Sequence, residues 1–108
     1  MATHDELFEV LGDPRRREIL DALRARELPV NALVDAIGIH QSGVSRHLGI
    51  LLQAGFVTVR AEGSRRVYAV RLERFRELAT WATRFLERRA RRERRATARG
   101  RARTPGAS

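Results

Sequence analysis

A mainly α-helical chain with one small β-hairpin is the fold class this sequence predicts, and three observations carry it. Apolar residues recur at three- and four-residue steps in five segments, the last of them long. Two of those segments are joined by a short glycine-containing turn, the outline of a helix-turn-helix. Two β-branched runs then flank a glycine turn directly after the second helix of that pair. The 108 residues suit one small domain. We divide them into a folded region, residues 1–95, and an arginine-rich tail, residues 96–108, expected to be disordered.

The elements are read in chain order. Leu7, Phe8, Val10 and Leu11 fall at helical spacing, and Gly12 can end that helix. Asp13-Pro14 reads as an N-cap followed by proline at the first helical position. The helix it opens, Pro14 to about Arg26, carries Ile19, Leu20 and Leu23 on one face. Arg15, Arg16 and Arg17 crowd its first turn, where cations oppose the helix dipole, so a phosphate partner is conceivable there. A short third helix runs from about Pro29 to Ile37 and is broken by Gly38.

The fourth helix, Gln41 to Ala54, has two faces. Val44, Leu48, Leu51 and Leu52 form an apolar stripe. Ser42, Ser45, Arg46 and Gly49 form the opposite face, small, polar and free of acids, so it can approach a duplex without repelling phosphate. Phe56 to Arg60 and Arg65 to Val70, around Glu62-Gly63-Ser64, then make a hairpin with Arg65 and Arg66 at its tip and Arg60 on the facing strand. A hairpin in that place is the wing of a winged helix-turn-helix.

From about Leu72 to Arg95 a long helix carries Phe75, Leu78, Ala79, Ala82, Phe85 and Leu86 at helical steps, with Trp81 alongside. So small a core cannot cover that stripe, and part of it is expected to face a second subunit with twofold symmetry. The fold class is therefore a winged helix-turn-helix whose long terminal helices form a dimer interface. Leu7, Phe8, Phe75, Leu78, Trp81, Ala82 and Phe85 are the residues expected there.

Charge and composition narrow the function. All 22 cations are arginine against 13 acids, a formal charge of +9. Residues 1–83 carry only +1 of it, and residues 84–108 the remaining +8. That basic end is either a solvated terminus or an attraction to polyanions. Cysteine is absent, which excludes disulfides, thiolate metal sites and cysteine nucleophiles. With no signal-peptide pattern and no apolar run of membrane-spanning length, a cytoplasmic protein is expected. No nucleophile, metalloprotease or phosphate-loop motif occurs, so an enzyme is not expected.

These residues resemble the arsenical-repressor (ArsR/SmtB) family of winged helix-turn-helix regulators. The segments that carry the resemblance are LGDPRRREIL, QSGVSRHLGILLQAGFV and EGSRRVYAV. It implies a homodimer pairing through its first and last helices, with the fourth helix in the DNA major groove. By position, Ser42, Ser45, Arg46 and His47 match the segment used for DNA, and Arg65 and Arg66 match the wing tip. Arg46 is the candidate for guanine recognition, Ser42 and Ser45 for phosphates or bases, and His47 for packing or a phosphate. Gln41 starts the same helix, and Arg60, Arg65, Arg66 and Arg15 to Arg17 are candidates for the DNA backbone.

The departures concern metals. Where many members carry a cysteine pair, this chain reads Glu27-Leu28-Pro29-Val30-Asn31-Ala32-Leu33, and its last helix has neither His nor Asp. His40 stands where a Ser, Thr or Asp cap is usual. His4 is one metal candidate. If Met1 is removed, Ala2-Thr3-His4 resembles the amino-terminal motif that binds Ni(II) or Cu(II) in a square plane of nitrogens. His4 with Asp5 could alternatively share a site with the other chain.

The expected function is thus a transcriptional regulator that binds a palindromic operator in double-stranded DNA as a homodimer. The alternatives are a Ni(II)- or Cu(II)-responsive regulator using His4, and a regulator whose sensor is a second partner protein. A nonspecific DNA binder relying on the tail and a membrane-surface protein are weaker rivals. No membrane partner is expected.

Overall fold

The computed structural model of the chain describes residues 3–103. Its elements are α1 (His4–Leu11), α2 (Pro14–Leu23), β1 (Leu28–Pro29), α3 (Val30–Ile37), α4 (Gln41–Ala54), β2 (Val57–Glu62), β3 (Arg65–Val70) and α5 (Glu73–Arg103). The mainly helical fold with a hairpin wing is as the periodicities predict. The chain divides into two units between Arg76 and Glu77, near the start of α5.

In the first unit, both ends of α1 are satisfied by side chains. The Thr3 hydroxyl accepts from the Glu6 N–H at 3.2 Å, and the Glu6 carboxylate accepts from the Thr3 N–H at 3.1 Å, a capping box. With 8 residues α1 is short, so only the last of the two terminal helices is long. At its other end Arg16 Nε donates to the Val10 carbonyl at 2.6 Å, and Arg17 Nη1 donates to the Leu11 carbonyl at 2.7 Å. The last carbonyls of a helix have no partner within it and carry its negative dipole end, so cations settle there. Arg15 instead pairs with Glu18 at 3.1 Å. In this structure these three arginines are engaged locally.

Asp13 caps α2 by accepting from the Arg15 N–H at 2.8 Å, with Pro14 in the first turn, as the Asp-Pro pair predicts. The helix ends at Leu23, before the expected Arg26. Leu28 and Pro29 then form a two-residue strand too short to leave a periodic signal. It pairs with β3, so the wing is a three-stranded antiparallel sheet in the order β1-β3-β2.

The core lies where α1, α2, α3 and α4 meet the base of the wing. Leu7, Ile19, Leu33, Val44, Leu48, Leu51, Phe56 and Val57 are completely enclosed. Gly55 closes α4 at φ 86°, a left-handed conformation that favours glycine, and a Cβ there would also meet Arg74 Nε at 3.0 Å. Arg74 Nε in turn donates to the Ala54 carbonyl at 3.3 Å. Phe56 follows at once and meets Phe75 edge-to-face, ring centroids 5.0 Å apart.

The second unit is the remainder of α5 from Glu77. Trp81 and Phe85 pack edge-to-face within it at 4.9 Å. The helix runs on to Arg103 instead of stopping near Arg95. Residues 96–103 of the tail expected to be disordered are thus helical, and residues 104–108 lie outside the described residues. Alanine and arginine are strong helix formers, which the absence of large apolar residues had obscured. The Thr97 hydroxyl donates to the Glu93 carbonyl at 3.0 Å, one turn back.

Phe56→Ala is expected to cost about 3–5 kcal/mol, because it opens a cavity in an enclosed site. Urea unfolding followed by circular dichroism measures it, as a lower midpoint at unchanged slope.

Candidate nucleic-acid interface

Helix α4 is fixed in rotation by what it buries. Val44, Leu48 and Leu51 are enclosed, and His47 joins them at 8% exposure. The opposite face must then point outward, and Ser42, Ser45, Arg46 and Gly49 are all exposed. Leu52 belongs to the apolar stripe by spacing, yet it is 39% exposed at the stripe's edge.

Of the two readings of His47, packing or a phosphate contact, its burial in the core favours packing. Its Nδ1 lies 3.4 Å from Arg16 Nη1, and a guanidinium can only donate, so that nitrogen is the acceptor. His40 does cap α4 despite its unusual identity. Its Nδ1 accepts from the Ser42 N–H at 3.3 Å and lies 3.0 Å from the Ser42 hydroxyl. Ser42 is thus tied to the cap, while Ser45 and Arg46 beside it remain available to a ligand.

The wing sorts its arginines by face. In the β2–β3 register Glu62 opposes Arg65 and Arg60 opposes Val67, whereas Arg66 opposes Ala61 on the other side. Along the first face runs a ladder of ion pairs. Arg60 grips Glu27 through Nη2 at 2.9 Å and Nε at 3.2 Å, and gives Nη1 to Glu62 at 2.8 Å. Arg65 reaches the other oxygen of Glu62 at 2.7 Å. Arg60, read from the sequence as a backbone contact, has its fork filled by acids, and the four charges cancel.

Arg66 lies exposed outside that ladder, with no ion pair among the described residues. Gln41, Arg65 and Arg66 line one open groove of about 400 Å³ together with Pro29, Asn31 and Ser64. Asn31 and Ser64 gave no sequence signal, since only the tertiary fold sets the start of α3 beside the wing tip.

Hydrogen bonds from Arg60 hold the Glu27 carboxyl below its usual range, and those from Arg65 and then Arg60 do the same for Glu62. The Arg60 guanidinium is pushed further up by both acids, Glu27 foremost. The Asp13 carboxyl is lowered chiefly by the Arg15 N–H it caps. Carboxylates with lowered pKa values stabilise the fold above the ordinary carboxylate range, and that contribution is lost as pH falls through the lowered values.

The expected dimer residues divide. Leu7 is 0% exposed within its own chain, so it belongs to the core and not to an interface. Phe75 and Leu78 are half-buried, and Phe75 already packs on Phe56. Phe8, Trp81, Ala82 and Phe85 are exposed, Phe85 at 61%. His4 is exposed at the start of α1, where the Thr3 N–H is engaged by Glu6, and the Ala2 amine lies outside the described residues. No group of three or more potential ligands that could hold a metal ion occurs among the described residues. Nor is any described helix long and apolar enough to cross a membrane.

A compact helical unit presenting an acid-free polar helix face beside a basic-tipped wing is a winged helix-turn-helix of the DNA-binding kind. Comparison with known proteins agrees. Residues 11–60 match the family described as "Helix-turn-helix domain". The chain is 33% identical over 84 residues to the uncharacterized HTH-type transcriptional regulator Rv0081 of Mycobacterium tuberculosis, covering 77% of this chain and 74% of that one. The solved structure of Rv0081 superposes with a TM-score of 0.63 at 31% identity, over 82% of this chain and 90% of that chain. An ArsR family transcriptional regulator, RHA00566, has the same fold at a TM-score of 0.71 and 24% identity, over 77% of this chain and 91% of that one. This chain belongs to the HTH-type transcriptional regulators and has the winged helix-turn-helix fold of an ArsR family member, and DNA-binding in the control of transcription is its function.

Replacing both ladder acids, Glu27→Gln with Glu62→Gln, is expected to free Arg60 and Arg65 for phosphate. Binding to any duplex tightens at low salt, and the salt slope steepens by about 0.9 per arginine engaged. Anisotropy titrations across a salt series read both. The double variant also loses less melting temperature than the wild type between pH 7 and pH 3.

Proposed function

We propose that the protein binds an imperfect palindrome in duplex DNA as a homodimer. The outward face of α4 supports this reading most directly, since it combines small residues, an unpaired arginine and no acid on a helix whose rotation the core fixes. Two copies of α4 would enter successive major grooves about 34–36 Å apart. Arg46 reads a guanine edge through O6 and N7, Ser45 supplies a short hydrogen-bonding contact, and Arg66 holds backbone at the wing.

The homodimer is supported by apolar surface that the chain leaves uncovered on α5. Phe85 and Leu86 are 61% and 70% exposed, with Trp81 beside Phe85. Side chains of that size are normally covered, and a twofold partner covers the same patch on both subunits.

Anisotropy titration of the DNA upstream of its own gene against a scrambled duplex tests the first part. A preference of a hundredfold or more is expected at near-physiological salt. Arg46→Ala should remove about 1–3 kcal/mol of that preference and leave scrambled-duplex binding nearly unchanged. Equal binding of both duplexes by the wild type would refute recognition of that DNA. Phe85→Glu is expected to convert the dimer to monomer in sedimentation velocity, at unchanged helix content.

A further inference from the structure

The part of α5 beyond the apolar patch has no role in that reading. From Arg84 onward the chain carries ten arginines and two acids, and the helix continues through them to Arg103. Arg84, Arg91, Arg92 and Arg95 are exposed, and none is in an ion pair among the described residues. At 3.6 residues per turn their i, i+7, i+8, i+11 spacing puts them on one stripe, about 100° wide and about 16 Å long. In the sequence, Arg88 and Arg99 continue the same spacing.

Glu87 borders the stripe, three residues after Arg84 and four before Arg91, and is in no ion pair with them among the described residues. Glu93 falls on the far side of the helix from Arg84 and is taken by Arg89 at 3.0 Å. A row of unneutralised guanidinium groups on a helix repels itself, and a polyanion laid along it removes that repulsion and releases its own counterions.

We propose that this arginine stripe is a second nucleic-acid contact, gripping duplex DNA phosphates without reading sequence. The inference rests on the DNA-binding reading above and extends it to a separate surface. Duplex DNA is favoured over a membrane because beyond Leu86 the helix has no apolar residue larger than alanine, so nothing there can enter a lipid interface. It is favoured also because α4 and the stripe share one chain, so DNA held by either is at high effective concentration for the other. The paired wing leaves a need for such a contact, since Arg60 and Arg65 are neutralised by Glu27 and Glu62.

The test compares the full-length wild type with the quadruple variant Arg84→Gln, Arg91→Gln, Arg92→Gln and Arg95→Gln, and with its four-lysine counterpart. Glutamine and lysine both keep the helix, which circular dichroism verifies. Each protein is titrated across a salt series with upstream and scrambled duplexes, and with vesicles of anionic phospholipid. The glutamine variant should weaken on both duplexes by at least tenfold at low salt. Its salt slope should fall by about 3–4 per stripe engaged, with the upstream-to-scrambled ratio kept. The lysine variant should bind as the wild type does, because charge carries the contact.

Unchanged slope and affinity in the glutamine variant would overturn the stripe while leaving α4 recognition standing. Loss of upstream preference in every protein, with the slope change intact, would support the stripe and refute recognition of that DNA. Vesicle binding abolished by the glutamine changes, with duplex binding unaffected, would assign the stripe to a membrane and overturn the proposal.

Discussion

The rotation of α4 about its own axis is the constraint from which the DNA-facing surface follows. Val44, His47, Leu48 and Leu51 occupy one side, and all four are buried. Because a helix repeats every 3.6 residues, burying those positions turns Ser42, Ser45, Arg46 and Gly49 outward. The covering elements are themselves tied to α4. Arg16 sits between them, bonding the carbonyl of Val10 at 2.6 Å, lying 3.6 Å from the Asp13 carboxylate and 3.4 Å from Nδ1 of His47. One half-buried cation thereby links the end of α1, the start of α2 and the buried face of α4. An eight-residue helix such as α1 gains its stability from such ties and from Leu7, not from its own hydrogen bonds.

Electrostatics in the first unit is largely internal. Arg16 and Arg17 satisfy helix-end carbonyls, Arg15 meets Glu18, Arg71 meets Glu73 at 3.0 Å, and Arg60 and Arg65 share Glu27 and Glu62. Exposed pairs of this kind add little stability. Their larger effect is on the field, since they leave the recognition side with the charges of Arg46 and Arg66 and little else.

Much of this was legible in the sequence, and what was not has a common cause. The cap at Asp13, the two faces of α4 and the hairpin about Gly63-Ser64 are local patterns, and each appears where its residues place it. What the sequence did not show involves partners distant in the chain. Glu27 and Arg60 are far apart in sequence, and only the pairing of β1 with β3 brings them onto one face. The two-residue β1 has no period to detect, and it exists because β3 offers it an edge. Leu7 was misread as an interface residue because periodicity says that a side chain is buried, not which chain buries it. His47 was left between packing and a phosphate contact, and Val44 and Leu51, three residues before it and four after, mark its face as inward. The end of α5 was misjudged because helix propensity there outweighs the missing apolar stripe.

The separation of a nearly neutral reading unit from a strongly basic helix has a physical logic. Base contacts depend on geometry and barely on salt, whereas phosphate contacts gain from counterion release and weaken as salt rises. A protein that placed all its arginines on the reading surface would raise binding to every sequence together and lose discrimination against the bulk of the genome. Pairing Arg60 and Arg65 with acids on the wing limits that term, and collecting unpaired arginines on α5 restores attraction where no base is read. On the proposed reading, affinity and specificity are set by different residues, so that changes on α5 alter how tightly DNA is held and changes on α4 alter which DNA is held.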